Sequence, residues 1–87
     1  MFLTEQGRIY MEDEQGGLVA EITFPETSPG VYTIDHTYVD DSLRGQGIAS
    51  ELVRSAVDEI QHRGGEVQAT CSYAVKWLSE RGGWHGL

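Results

Sequence analysis

From Gln46 to Ile60 the apolar residues fall in pairs four apart, Ile48-Ala49, Leu52-Val53 and Ala56-Val57, and close on Ile60. At 3.6 residues per turn such pairs draw one continuous stripe along a helix, which needs a single apolar surface to lie against. Ser50, Glu51, Arg54, Ser55, Asp58, Glu59 and Gln61 cover the other side. Gly64-Gly65 supplies the residue without Cβ that closes a helix C-terminus in the left-handed conformation. A helix ending there constrains everything around it.

The segments on either side read as strands. Arg8-Ile9-Tyr10-Met11-Glu12 runs into the acids and glycines of Asp13–Gly17, which suit a hairpin loop. Leu18, Ala20, Ile22 and Phe24 alternate with Val19, Glu21 and Thr23, the period of a strand with one buried face. Residues 25–30 hold both prolines and read as a loop. Val31 to Val39 is a nine-residue β-rich run with Asp35-His36 in its middle, a polar pair that invites a bulge. After the helix, Glu66–Thr70 is expected to lie parallel to that run, completing a right-handed βαβ unit. Ser72 is placed to cap a last helix that runs through Arg81 and stops at Gly82-Gly83. The expectation is one α+β (α/β) domain over residues 1–87: a mostly antiparallel four-stranded sheet with one parallel βαβ unit, one long helix and one short C-terminal helix.

Eighty-seven residues leave no room for a second core. With one cysteine, Cys71, no internal disulfide can form, which fits a reducing, cytoplasmic setting; no apolar run is long enough to span a bilayer. A net charge of −8 opposes binding to nucleic-acid phosphates or anionic membranes and favours a cationic partner. An anionic ligand would need a local device that overrides this field.

Arg44-Gly45-Gln46-Gly47-Ile48-Ala49 offers one, because it joins a strand to a helix whose first N–H groups have no intrahelical partner. The glycines let the backbone curl and approach a phosphate, and the helix dipole adds to the attraction. The lysine and hydroxyl residue of a P-loop are missing, as is the third glycine of a dinucleotide fingerprint. On spacing alone the segment is either a phosphate loop or a glycine-eased turn.

Arg44-x-x-Gly47-x-Ala49 resembles the (Gln/Arg)-x-x-Gly-x-(Gly/Ala) signature of the GNAT acetyltransferases, and His36-Thr37-Tyr38-Val39 and Thr70-Cys71-Ser72-Tyr73 resemble the small single-domain members of that family. The resemblance implies a site for coenzyme A or acetyl-CoA. In it, Val39 would offer backbone groups to the pantetheine arm, and Arg44, Gly45, Gln46, Gly47, Ile48 and Ala49 would surround the pyrophosphate. It also implies that Cys71 ends the last strand near the CoA sulfur and that Tyr73 follows on the flanking helix. By the same resemblance, the N-terminal helices and C-terminal strand pair that usually build the family's acceptor site are not expected within these residues.

Three residues are candidates for chemistry. Cys71 is either a nucleophile activated by the adjoining helix start or a packed, inert thiol. His36 is either a general base, the usual work of an imidazole, or a residue that hydrogen-bonds the sheet. Tyr73 is a possible donor to the departing thiolate, or a half-buried aromatic. Trp77 and Trp84 read as core or as pocket walls. His62 and His85 have no ligand-like spacing with Cys71, so no metal site is expected. Two functions follow: an N-acetyltransferase acting on a primary amine of a small molecule or protein, directly or through Cys71, and a CoA-binding module without turnover.

Overall fold

The computed structural model describes residues 2–80, so Arg81, Trp84, His85 and the expected stop at Gly82-Gly83 lie outside the described residues. Strands β1 (Leu3–Glu5), β2 (Arg8–Glu12), β3 (Leu18–Thr23), β4 (Glu26–Ser28), β5 (Val31–Ile34) and β6 (His36–Val39) precede helix α1 (Ile48–His62). Strand β7 (Glu66–Ala69) and helix α2 (Ser72–Glu80) follow it. The class is α+β, with an antiparallel four-stranded sheet β1-β2-β3-β6 and a smaller mixed sheet β4-β5-β7.

The stripe of α1 forms the centre of the core: Leu52, Val53, Ala56 and Ile60 are buried together with Ile9, Ala20, Ile22 and Ile34 from the strands. Ala20, Ile22 and Phe24 are fully buried, as the period-two pattern of β3 requires, while Leu18 stays exposed beyond a register shift at Met11/Glu12. The helix stops as its glycines demand. The Gly65 N–H donates to the Ile60 carbonyl and the Gly64 N–H to that of Gln61, each at 2.9 Å, with Gly64 at φ 73°. This pair of bonds satisfies carbonyls that the helix end would otherwise orphan.

The run Val31–Val39 differs from a single strand. Its first half, β5, pairs in parallel with β7 (Val31↔Glu66 to Ile34↔Ala69), whereas β6 pairs antiparallel with β3 (Ala20↔Val39 to Thr23↔His36). Asp35 is the break, its N–H donating to the Thr23 carbonyl and its carboxylate accepting from the Thr23 hydroxyl. At the same point the Ile34 carbonyl accepts from both Thr70 N–H and Cys71 N–H, at 3.0 and 3.2 Å. The polar pair therefore marks a change of sheet. Beyond it, β6 runs in the large sheet and β7 in the small one.

Two short strands depart from expectation. Glu26–Ser28, read as loop, forms β4 on the edge of the small sheet, with Pro25 and Pro29 just outside it where no ladder donor is lost. Leu3–Glu5 adds β1 at the edge of the large sheet. Ser72 is the first residue of α2 and not its cap. The Cys71 carbonyl accepts the bond from Val75 N–H at 3.0 Å, which puts Cys71 in the cap position.

Candidate functional site

A cleft of about 270 Å³ opens between the end of β6, the following loop, the first turn of α1 and the first turn of α2. Val39, Leu43, Arg44, Gly45, Gly47, Ile48, Ala49, Ser50 and Tyr73 line it. Except for Gln46, which is exposed and off the wall, every residue expected around a cofactor meets here.

Its rim is held by Asp40. The Asp40 N–H donates to the Val19 carbonyl at 2.8 Å, and its carboxylate accepts from the Ser42 hydroxyl and N–H and the Tyr38 hydroxyl. Those donors, the Ser42 hydroxyl foremost, hold the carboxyl below its usual range, and the same bond to Asp40 raises the Tyr38 phenol. The chain then makes one 3-10 turn, Asp41–Leu43, before the glycines. Gly45 and Gly47 have φ of 82° and 73°, a region that costs any other L-residue about 1–2 kcal/mol. The glycine pair is a backbone requirement as well as a means of close approach.

Gly47 is the N-cap of α1 and brings no side chain, so the first-turn amides lack the oxygen that usually covers them. They open on the cleft wall together with the positive end of a fifteen-residue helix. Ser50 adds a hydroxyl there. Its Oγ accepts the Trp77 indole N–H at 2.7 Å, and since indole is only a donor, the serine proton stays available to an acceptor. Arg44, on the same wall, has its Nε 3.0 Å from Asp41 Oδ1.

Cys71 precedes Tyr73 by two residues and does not itself line the cleft. Its Sγ lies 3.5 Å from the Thr37 hydroxyl, in the position where a cap side chain meets the helix amides. Burial pushes the thiol pKa up, but hydrogen bonds from the Thr37 hydroxyl, the Ala74 and Tyr73 N–H groups and the Thr37 backbone outweigh it, and the net direction is down. Tyr73 is 41% exposed on the same helix start.

His36 belongs to a different neighbourhood. Thr37 and Val39 pair with Ile22 and Ala20 on the side covered by α1, so the strand alternation turns His36 and Tyr38 to the other side. His36 Nε2 lies 3.6 Å from Glu21 Oε1, and Glu21 also pairs with Arg8. The acid beside His36 is thus Glu21, while Asp35 is taken by Thr23. Thr37, Leu43 and Ser50 were not apparent as site residues from the sequence. Ser50 sits on the polar side of the α1 stripe, where a residue reads as solvated, and only the docking of α2 reveals its place.

Known proteins resemble this chain in sequence and in fold. The family model for GCN5-related N-acetyl-transferases matches residues 8–87. Protein NATD1 of Xenopus tropicalis is 38% identical over 53 residues, which are 59% of this chain and 49% of that protein. Human Protein NATD1 is 34% identical over 50 residues, and the match spans 44% of its length. Among solved structures, a GCN5-like protein from Staphylococcus aureus superposes with a TM-score of 0.76 and 28% identity, covering 93% of this chain and 79% of that one. An N-acetylglutamate synthase from Neisseria gonorrhoeae, solved with coenzyme A and N-acetyl-glutamate, shares the fold alone, with a TM-score of 0.67 and 17% identity over 86% of this chain and 18% of that one.

Proposed function

The chain belongs to the family of GCN5-related N-acetyl-transferases, and from that premise we propose that it binds acetyl-CoA in the cleft and transfers the acetyl group to a primary amine. The observation that carries this is the cleft wall itself: two left-handed glycines, an uncapped helix start and the Ser50 hydroxyl on one surface. These groups suit a pyrophosphate, because they present oriented N–H and O–H donors that offset locally the repulsion a chain of net charge −8 exerts on an anion. Among the described strands β6 is an edge of the large sheet, and an extended arm would run along it at Val39. The same negative charge favours a protonated amine as the approaching acceptor.

Cys71 then takes the acetyl group. Its thiolate attacks the thioester carbonyl, the new S–C bond forms as the C–S bond to CoA breaks, and the CoA thiolate leaves with a proton from Tyr73 or water. The acceptor amine, having lost a proton to water, attacks the acyl-cysteine; the N–C bond forms as the C–S bond to Cys71 breaks, the thiolate is restored, and the second amine proton returns to Tyr73 or water. Placement of His36 on the opposite side of the sheet speaks for this route over direct transfer with His36 as base.

Mass spectrometry after mixing with acetyl-CoA tests it. The expected result is one acetyl adduct in the wild type and none in Cys71→Ser, with adduct loss and free-CoA release accelerated by added amines. An adduct that persists in Cys71→Ser would exclude the thiol. Amine-dependent CoA release at the wild-type rate in Cys71→Ser would establish direct transfer, and CoA binding without release for any amine would leave a binding module.

A further inference from the structure

The phosphate-facing arginine is already occupied by an acid of its own loop. The 3-10 turn Asp41–Leu43 places Asp41 and Arg44 one turn apart, with Arg44 Nε 3.0 Å from Asp41 Oδ1 and the Arg44 N–H donating to the Asp41 carbonyl at 3.1 Å. The neighbouring Asp40 is committed to Ser42 and Tyr38, which makes it part of the loop's architecture. Asp41 has no such duty. Its side-chain contact among the described residues is Arg44, and the two side chains are 86% and 79% exposed.

We propose that Asp41 stands in for the ligand's phosphate on Arg44, so that cofactor binding is an exchange of carboxylate for phosphate and Asp41 sets how tightly CoA is held and how fast it leaves. This rests on the cleft being the CoA site. A carboxylate 3.0 Å from the guanidinium cancels most of the charge that a phosphate would meet. A pair this exposed does not hold Arg44 rigidly enough to pre-orient it, so competition outweighs positioning. A pair of this kind is worth little in stability, and its removal leaves the fold unchanged.

Calorimetry with CoA on the wild type, Asp41→Asn, Arg44→Gln and the double variant tests the exchange. Asp41→Asn is expected to tighten CoA about threefold to fivefold, the scale of an exposed ion pair, and to slow its dissociation. In the Arg44→Gln background the same change should alter affinity less than about twofold, leaving only residual like-charge repulsion. Unaltered or weakened binding in Asp41→Asn overturns the proposal, as does equal tightening in both backgrounds, which would mean simple repulsion. Melting curves that coincide for all four proteins keep the comparison free of folding effects. Absence of CoA binding in every protein would instead remove the cofactor site itself, and the exchange with it.

Discussion

The two sides of the large sheet are made by the same strands and do different work. On the side under α1, Ile22 and Ala20 are fully buried and their β6 partners Thr37 and Val39 lead to Cys71 and the cleft. On the other side, Glu21 gathers Arg8 and His36, with Tyr10 and Tyr38 as its cross-strand partners, and no described helix packs there. Alternation along a strand thus separates residues adjacent in sequence into two chemical settings. Proximity in the motif His36-Thr37-Tyr38-Val39 is no guide to proximity in a site: Thr37 meets the thiol and His36 does not.

That contrast can be broken by substitutions on each side. The largest effect belongs to Gly47→Val. The position has open space around it but a φ of 73°, so the variant should lose about 1–2 kcal/mol of stability from backbone strain in addition to weakening CoA more than about tenfold. Affinity equal to wild type in a folded Gly47→Val protein would move the cofactor away from this wall. A smaller change is expected for Thr37→Val, which removes the hydroxyl from Cys71. Alkylation of the thiol by iodoacetamide at neutral pH should slow about threefold to tenfold, the worth of one net hydrogen bond, and Thr37→Ser should restore it.

The sign with pH follows from the same bonds. Because the folded Cys71 pKa lies below its ordinary value, the thiolate's contribution to stability is full above the unfolded pKa and is lost as pH falls through the folded one. Thr37→Val narrows that window from below, which a pH series of melting temperatures against Cys71→Ser would register. The smallest effect is assigned to the open side. His36→Ala should change both CoA affinity and thiol alkylation by less than about twofold, as for an exposed residue away from the cleft. A loss of more than tenfold in amine acetylation with the thiol unaffected would return His36 to the chemistry and erase the division between the two sides.

Much of the fold was legible because local rules decided it. The paired apolar residues of α1, the Gly64-Gly65 stop, the alternation in β3 and the parallel course of β7 each follow from periodicity or from one conformational demand. The glycine loop was legible for the same reason, since positive φ at Gly45 and Gly47 admits few other residues. What escaped was set by distant partners. Strand β4 has three exposed residues and no periodicity, and exists because β5 offers it an edge. The cap role of Cys71 was hidden by Ser72, a stronger cap by type, because Ile34 and Thr37 on other strands fix where α2 begins. The separation of His36 from Cys71 depends on register with β3, which no short motif encodes.

The change of sheet at Asp35 also governs what kinds of genetic variation this stretch can absorb. Residues on either side of Asp35 are locked into different ladders, one parallel and one antiparallel, with the Ile34 carbonyl shared between two donors. A single inserted or deleted residue after Ile34 would reverse the facing of β6, sending Thr37 and Val39 to the open side and His36 and Tyr38 against α1. Point substitutions disturb one side chain, whereas a change of length exchanges the two surfaces wholesale. Relatives that keep this site should therefore hold the spacing from Ile34 to the glycine loop constant.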